Sequence, residues 1–276
     1  MLTNNIYIFL CFIIKCINLV YFGDYINKVI ITAAGMGTRM APFTKVCSKA
    51  LVPIFSKASG KIEVVPIIDE LARNFRQIGI NDIGAVVYKD DKHLIEHLKQ
   101  NGISLFYQNE RLGFGHAVLM AKKFSEKDPF ILNAEDGILS SGYDSAIKIF
   151  EKINPEALLI LRRVANPQRY GIVEAGEESE IEGHKVYKIK GAEEKPNNPK
   201  SDMALVASYI FTPKIFETLE KASKGGVLEL TDGISWLIKN NYSVYGMVLN
   251  NNERWLNVGD PQSYFEALKY SFEEQQ

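Results

Sequence analysis

From Lys28 onward, short apolar runs alternate with stretches whose apolar residues recur every three or four positions, the pattern of stacked βαβ units. The run KVIITAAG over 28–35 predicts a buried strand that enters a glycine-rich turn. Over 66–78, Ile67, Ile68, Leu71, Phe75 and Ile78 fall on one helical face. Pro66 stands where a first-turn proline is tolerated, and Gly79 is placed to end the helix. Strands are predicted at 83–88, 103–107, 130–136 and 157–164, with helices at 91–100, 115–124 and 143–152 between them. The texture then changes. YGIVEA, HKVYKIKG and ALVASYIF, all within 170–211, predict short antiparallel strands separated by polar turns. Helices at 213–222 and 230–240, a strand at 243–249 and a helix from Pro261 complete the pattern. The predicted class is α/β: a doubly wound, mostly parallel, Rossmann-like sheet with a small β-rich insertion late in the chain.

The first 27 residues stand apart from a domain spanning 28–276. The run IYIFLCFIIKCINLVYF at 6–22 is interrupted only by Lys15 and Asn18, and its length is at the short edge for a membrane span. It lacks a basic leading region and an A-x-A-like cleavage site, so it reads poorly as a signal peptide. Three readings stay open: a misassigned start, a membrane anchor, or an apolar helix packed on the domain or a partner. Membrane contact is expected only through this run.

Composition narrows the function classes. At 276 residues, with 46% hydrophobic and 24% charged, the chain has the make-up of an ordinary globular protein. A formal net charge of -1 gives no basic excess for nucleic acid, so phosphate-bearing ligands need locally placed cations. Cys11, Cys16 and Cys47 form neither a disulfide framework nor a zinc spacing, which fits a reducing cytoplasm.

The strongest chemical signal follows the first strand, in Gly35-Met36-Gly37-Thr38-Arg39-Met40. A strand leading into Gly-x-Gly lets backbone N–H groups approach a phosphate closely. The dinucleotide fingerprint fails, because Met40 holds its third glycine position, and no Walker loop is present. Arg39, Lys45 and Lys49 instead place cations beside the turn, as a polyphosphate requires. A tight turn with solvated lysines is the bland alternative.

The stretch AAGMGTRMAPFTKVCSKALVPI resembles the signature of the sugar nucleotidylyltransferases, G-x-G-T-R-x-x-P-x-T-x-x-x-P/S-K-x-x-x-P, and particularly the bacterial-type UTP–glucose-1-phosphate uridylyltransferases. The resemblance implies that Ala34, Gly35, Gly37 and Thr38 wrap the triphosphate, that Arg39 and Lys49 contact its phosphates, and that Lys45 belongs to the nucleotide site. Gln108 to Val118, QNERLGFGHAV, is similar to the family's base-reading stretch and assigns the base to Gln108 and Gly113. A glutamine amide offers both a donor and an acceptor to uracil or thymine. For His116, a locally bonded residue at a helix start is the better reading.

Downstream, Tyr170-Gly171-Ile172-Val173 resembles the family's R-Y-G-V/I element, and Glu194-Lys195-Pro196 its E-K-P element. These imply sugar contacts from Gly171 and Glu194, and a hold on the sugar phosphate by Lys195. Asp136 ends the strand FILNAED, where a ligand crevice is expected and a carboxylate is well placed to hold Mg²⁺. Glu229-Leu230-Thr231-Asp232 resembles a helix-start element of these enzymes.

Two departures matter. Ala207-Ser208-Tyr209 stands in place of G-x-Y, and Asn257 replaces the family's second metal-binding aspartate in WLNVGDP. Asn257 is still expected as the second ligand to Mg²⁺, while Asp260 is expected to cap the helix after it. The implied reaction joins a nucleoside triphosphate, UTP first and dTTP as competitor, to a sugar 1-phosphate, glucose 1-phosphate first. A non-catalytic regulatory subunit that binds sugar nucleotides is the alternative of a different class. A homo-oligomer is the expectation for assembly.

Overall fold

A computed structural model of the protein describes residues 26–58 and 61–274. The readings attached to the run at 6–22 fall outside the described residues. Among those described, no helix is long and apolar enough to cross a membrane.

The chain opens with β1 (Lys28–Ala33), a hairpin of β2 (Pro53–Ala58) and β3 (Lys61–Pro66), and α1 (Ile67–Gln77). Then come β4 (Asp82–Tyr88), α2 (Lys92–Gln100), β5 (Ser104–Gln108), α3 (Phe114–Met120) and β6 (Phe130–Ala134). β7 (Gly137–Leu139), α4 (Asp144–Ile153), β8 (Ala157–Arg163), β9 (Gly171–Ile181), β10 (His184–Glu194) and β11 (Met203–Phe211) follow. The chain closes with α5 (Lys214–Ala222), α6 (Leu230–Lys239), β12 (Val244–Val248), β13 (Trp255–Asn257) and α7 (Pro261–Glu273).

Nine strands form one sheet in the order β5-β4-β1-β6-β11-β8-β12-β10-β9. β4, β1, β6 and β5 pair in parallel, as do β8 and β12, whereas β11 and β10 run against their neighbours. The late β-rich segment therefore forms no layer of its own: β11 lies inside the main sheet between β6 and β8, and β10 and β9 extend its far edge. Each face carries its own core. Ile67 and Leu71 of α1, Leu94 of α2, Phe150 of α4 and Ala267 of α7 pack on one side. Val118 of α3, Phe216 of α5 and Ile234 of α6 pack on the other. That arrangement is what the near-continuous apolar strands predict, since a strand buried on both faces does not alternate.

Helix starts follow the local chemistry. Asp91 caps α2 by accepting the Leu94 N–H, and Asp260 caps α7 by accepting the Ser263 N–H at 3.1 Å, as expected. Glu229 and Asp232 form a reciprocal capping box at the start of α6. Pro66 differs from expectation, because it ends β3 and precedes the helix. The helix expected at 115–124 splits: α3 stops at Met120, and Lys122–Phe124 form a separate 3-10 turn.

Candidate active site

β1 and β6 lie side by side and parallel, so the loops leaving their carboxyl ends share one crevice. The loop after β1 turns at Gly37, whose φ of 61° is left-handed. The Thr44 hydroxyl donates to the Gly37 carbonyl at 2.8 Å, and a Cβ on Gly37 would sit 2.8 Å from the Thr44 methyl. Only glycine meets both demands. Thr38, Arg39 and Lys45 are exposed around this turn, while Met40 is buried and anchors it.

Lys49 reaches under the loop. Its ammonium lies 2.8 Å from Asp136 Oδ2 and 3.1 Å from Glu135 Oε1, and all three side chains are nearly excluded from water. Burial penalises the Lys49 charge, but the two carboxylates outweigh that and raise its pKa. Burial likewise works to raise Asp136, yet Lys49 and Arg39 hold it below the ordinary carboxylate value. Glu135 is pushed up by burial, with Asp136 adding to the effect against Lys49.

Asn257 reaches the same place by a different route. β13 pairs with β7 so that Asn257 lies opposite Gly137, and the Val258 N–H donates to the Asp136 carbonyl at 2.9 Å. The Trp255 indole covers Gly137 so closely that any side chain there would collide with it. The point where Gly259 would carry a Cβ lies 2.7 Å from Asn257 Oδ1, 3.0 Å from Arg39 Nη2 and 3.1 Å from Asp136 Oδ2. Three groups far apart in sequence thus face one small space that a glycine leaves open. One carboxylate and one amide oxygen, with phosphate oxygens to complete the shell, form a donor set that suits Mg²⁺. Among the described residues no cluster of three or more His, Cys, Asp or Glu offers a metal site without such help.

On the side expected to take the base, Gln108 ends β5 and is buried. Its Nε2 donates to the Gly113 carbonyl at 3.2 Å and to His116 Nδ1 at 2.9 Å, which leaves Oε1 as the acceptor. Gly113 has a φ of 97°, and a side chain there would strike the Leu228 carbonyl. His116 is a local partner of Gln108, in keeping with its expected role. Sequence reasoning missed Arg111. Its guanidinium lies 3.6 Å from the centre of the Tyr88 ring, and its Nε donates to the Ala34 carbonyl at 3.0 Å. That contact ties the loop after β5 to the glycine loop, and no motif marks it. Arg111, Lys45, Lys49 and Gly35 line a cleft of about 390 Å³.

On the side expected to take the sugar, Gly171 pairs with Glu194 across β9 and β10, and a Cβ on Gly171 would lie 3.0 Å from Glu194 Oε2. Lys195 takes a left-handed φ of 42°, donates its N–H to the Tyr170 carbonyl and pairs with Glu194 at 2.9 Å. Tyr209 lies between the two sides. Burial raises its pKa, and the charges of Glu194, Asp136 and Glu229 raise it further. Ala207 has a φ of 55° beside a register shift in β11, which accounts for the glycine usual at that place.

Known proteins agree with this architecture. A glucose-1-phosphate thymidylyltransferase of Streptomyces griseus is 30% identical over 253 residues, covering 89% of this chain and 66% of that protein. The chain therefore spans about two thirds of the length of this relative. A Methanocaldococcus jannaschii protein named for UTP–glucose-1-phosphate uridylyltransferase is 28% identical, covering 88% of this chain and 92% of the relative. The crystal structure of an apo UDP-glucose pyrophosphorylase superposes with a TM-score of 0.75 at 23% identity, over 91% of this chain and 100% of that one, a likeness of fold. The sequence model of the nucleotidyl transferase family matches residues 28–274, and with that match the chain belongs to the nucleotidyl transferase family.

Proposed function

We propose that the protein is a sugar-1-phosphate nucleotidyltransferase, and that UTP and glucose 1-phosphate are its preferred substrates. The observation that carries this reading is the convergence of Arg39, Lys49, Asp136 and Asn257 beneath a glycine loop. An oxygen of the sugar phosphate attacks the α-phosphorus, the bond from that phosphorus to the β-phosphate bridge breaks, and pyrophosphate leaves. The attacking group is already anionic, so no enzyme nucleophile is needed. Catalysis then rests on holding two mutually repelling anions in line and on neutralising charge in the transition state.

Each side chain has a place in that scheme. Backbone N–H groups from Gly35 to Thr38 cradle the triphosphate, with Arg39, Lys45 and Lys49 as its counter-charges. Gln108 and Gly113 read the base, and Gly171 and Glu194 hold the sugar. Lys195 exchanges its partner Glu194 for the sugar phosphate. Asp136 and Asn257 would hold Mg²⁺, which screens the phosphates and the departing pyrophosphate.

dTTP is the second reading, supported by the identity to the Streptomyces thymidylyltransferase. Uracil and thymine present the same N3–H to Gln108 Oε1, so this glutamine alone does not separate them. The test is pyrophosphate release with Mg²⁺ across UTP, dTTP, GTP, CTP and ATP against several sugar 1-phosphates. Turnover is expected first with UTP and glucose 1-phosphate. Faster turnover with dTTP would move the assignment to the thymidylyl reaction. Binding without turnover anywhere on the grid would favour a regulatory subunit.

A further inference from the structure

Lys49 spans two carboxylates whose surroundings differ. Asp136 Oδ2 faces the space shared with Asn257 Oδ1 and Arg39 Nη2. Glu135 faces the other way. Its backbone N–H donates to the Thr32 carbonyl of β1 at 3.0 Å, and its Oε1 lies 3.6 Å from where Gly35 would carry a Cβ. Glu135 thus forms the floor of the glycine loop, with its side chain 7% exposed. The oxygen that Asp136 now gives to Lys49 is also the one turned toward Asn257. A divalent cation between Asp136 and Asn257 and the ammonium of Lys49 therefore compete for one carboxylate oxygen, and like charges cannot share it at close range.

We propose that Glu135 is a positioning residue that gives Lys49 a second seat. When a divalent cation claims Asp136, Lys49 keeps its bond to Glu135, 3.1 Å away, and stays aimed at the phosphates under the glycine loop. The inference rests on the reading of this site as metal-assisted nucleotidyl transfer, and it adds a residue that reading does not use. Without Glu135, Asp136 is the sole carboxylate paired with Lys49 among the described residues, and the metal must displace a more tightly held ammonium. At the same time the floor of the phosphate loop becomes one charge more positive.

Glu135→Gln keeps the size and an acceptor but removes the charge, and it should move two binding constants in opposite directions. The Mg²⁺ concentration giving half-maximal nucleotide binding should rise about tenfold, the scale of losing a partner that orients a metal site. UTP binding in EDTA, read by equilibrium dialysis, should tighten several-fold. A purely structural role would weaken both together, so parallel weakening overturns the proposal, as does no change in either. Glu135→Asp keeps the charge at shorter reach and should restore most of the wild-type Mg²⁺ midpoint. If it behaves like Glu135→Gln, the charge is not what positions Lys49. Both readouts are binding measurements, so a wild-type protein that binds UTP without turning it over would sink the proposed reaction and leave this test standing.

Discussion

On the nucleotide side of the cleft, Lys49, Glu135 and Asp136 have side-chain exposures of only 11, 7 and 13%. On the sugar side, the Lys195–Glu194 pair keeps 61 and 30%. Both sides set lysine against carboxylate, but the physics differs. In the buried group each charge depends on the others, since removing one partner leaves an uncompensated charge away from water. An exposed pair is screened and contributes little to the fold, so it changes partners easily. On the proposed reading, the nucleotide side is thus built before substrate arrives, whereas the sugar side is free to exchange an internal ion pair for a ligand phosphate.

The sharpest way to break this comparison is to remove a charge from each side. On the proposed reading, Asp136→Ala should lower turnover by about a thousandfold, because it removes both an oxygen for Mg²⁺ and a partner of Lys49. It should also lower the thermal midpoint, which calorimetry reads directly. An Asp136→Ala protein with full activity would sink the site assignment. Lys195→Ala should raise the KM for sugar 1-phosphate by about tenfold to a hundredfold, the scale of one lost charge-assisted hydrogen bond. Its thermal midpoint and its KM for UTP should stay close to wild type. If Lys195→Ala unfolds as readily as Asp136→Ala, the contrast between the two sides fails.

Asn257 sharpens the picture within the nucleotide side. Its amide oxygen accepts the Gly259 N–H at 2.5 Å while facing Asp136. Asn257→Asp keeps that acceptor and adds a charge, so the Mg²⁺ requirement should fall by about tenfold. A titration of turnover against Mg²⁺ checks this. An unchanged midpoint would show that Asn257 shapes the Gly259 turn without touching the metal.

What the sequence made legible follows the same division. Apolar runs such as KVIITA and FILNA identify strands because both of their faces are buried. Asp136 and Arg39 could be placed because one stands at the end of such a run and the other in the turn after one, and Lys49 because the stretch around it resembles the family signature. The hairpin of β2 and β3 escaped: it stands apart from the main sheet, and Ile62 and Val64, which alternate with Lys61 and Glu63, are exposed rather than buried. β9 runs on to Ile181 through the polar, mostly exposed GEESE, which reads as a turn until its pairing with β10 is seen. The pairing of three-residue β7 with β13, which brings Asn257 to Asp136, is too short and too distant in sequence to leave a periodic signal. Glu135 and Arg111 gain their roles from contacts with Lys49 and Ala34 that no local pattern encodes.

The smallest expected effect concerns β11, the strand shared by both sides. Its residues Ser208 to Phe211 pair with β6 on the nucleotide side, and Ala204 pairs with Ile172 of β9 on the sugar side. The register shift between these stretches holds Ala207 at a φ of 55°. A left-handed alanine costs about 1–2 kcal/mol, whereas a glycine there gives back about 0.5–1 kcal/mol through the freedom it has in the unfolded chain. Ala207→Gly should therefore stabilise the protein by about 0.5–1 kcal/mol, seen as a rise of about 1–3 °C in Tm. The backbone already has the shape that glycine prefers, so neither KM should move. A gain in stability with unchanged kinetics would show that β11 joins the two sides as a rigid seam. A changed KM for sugar 1-phosphate would show that the alanine methyl itself shapes the sugar pocket, and that the departure from glycine tunes substrate choice.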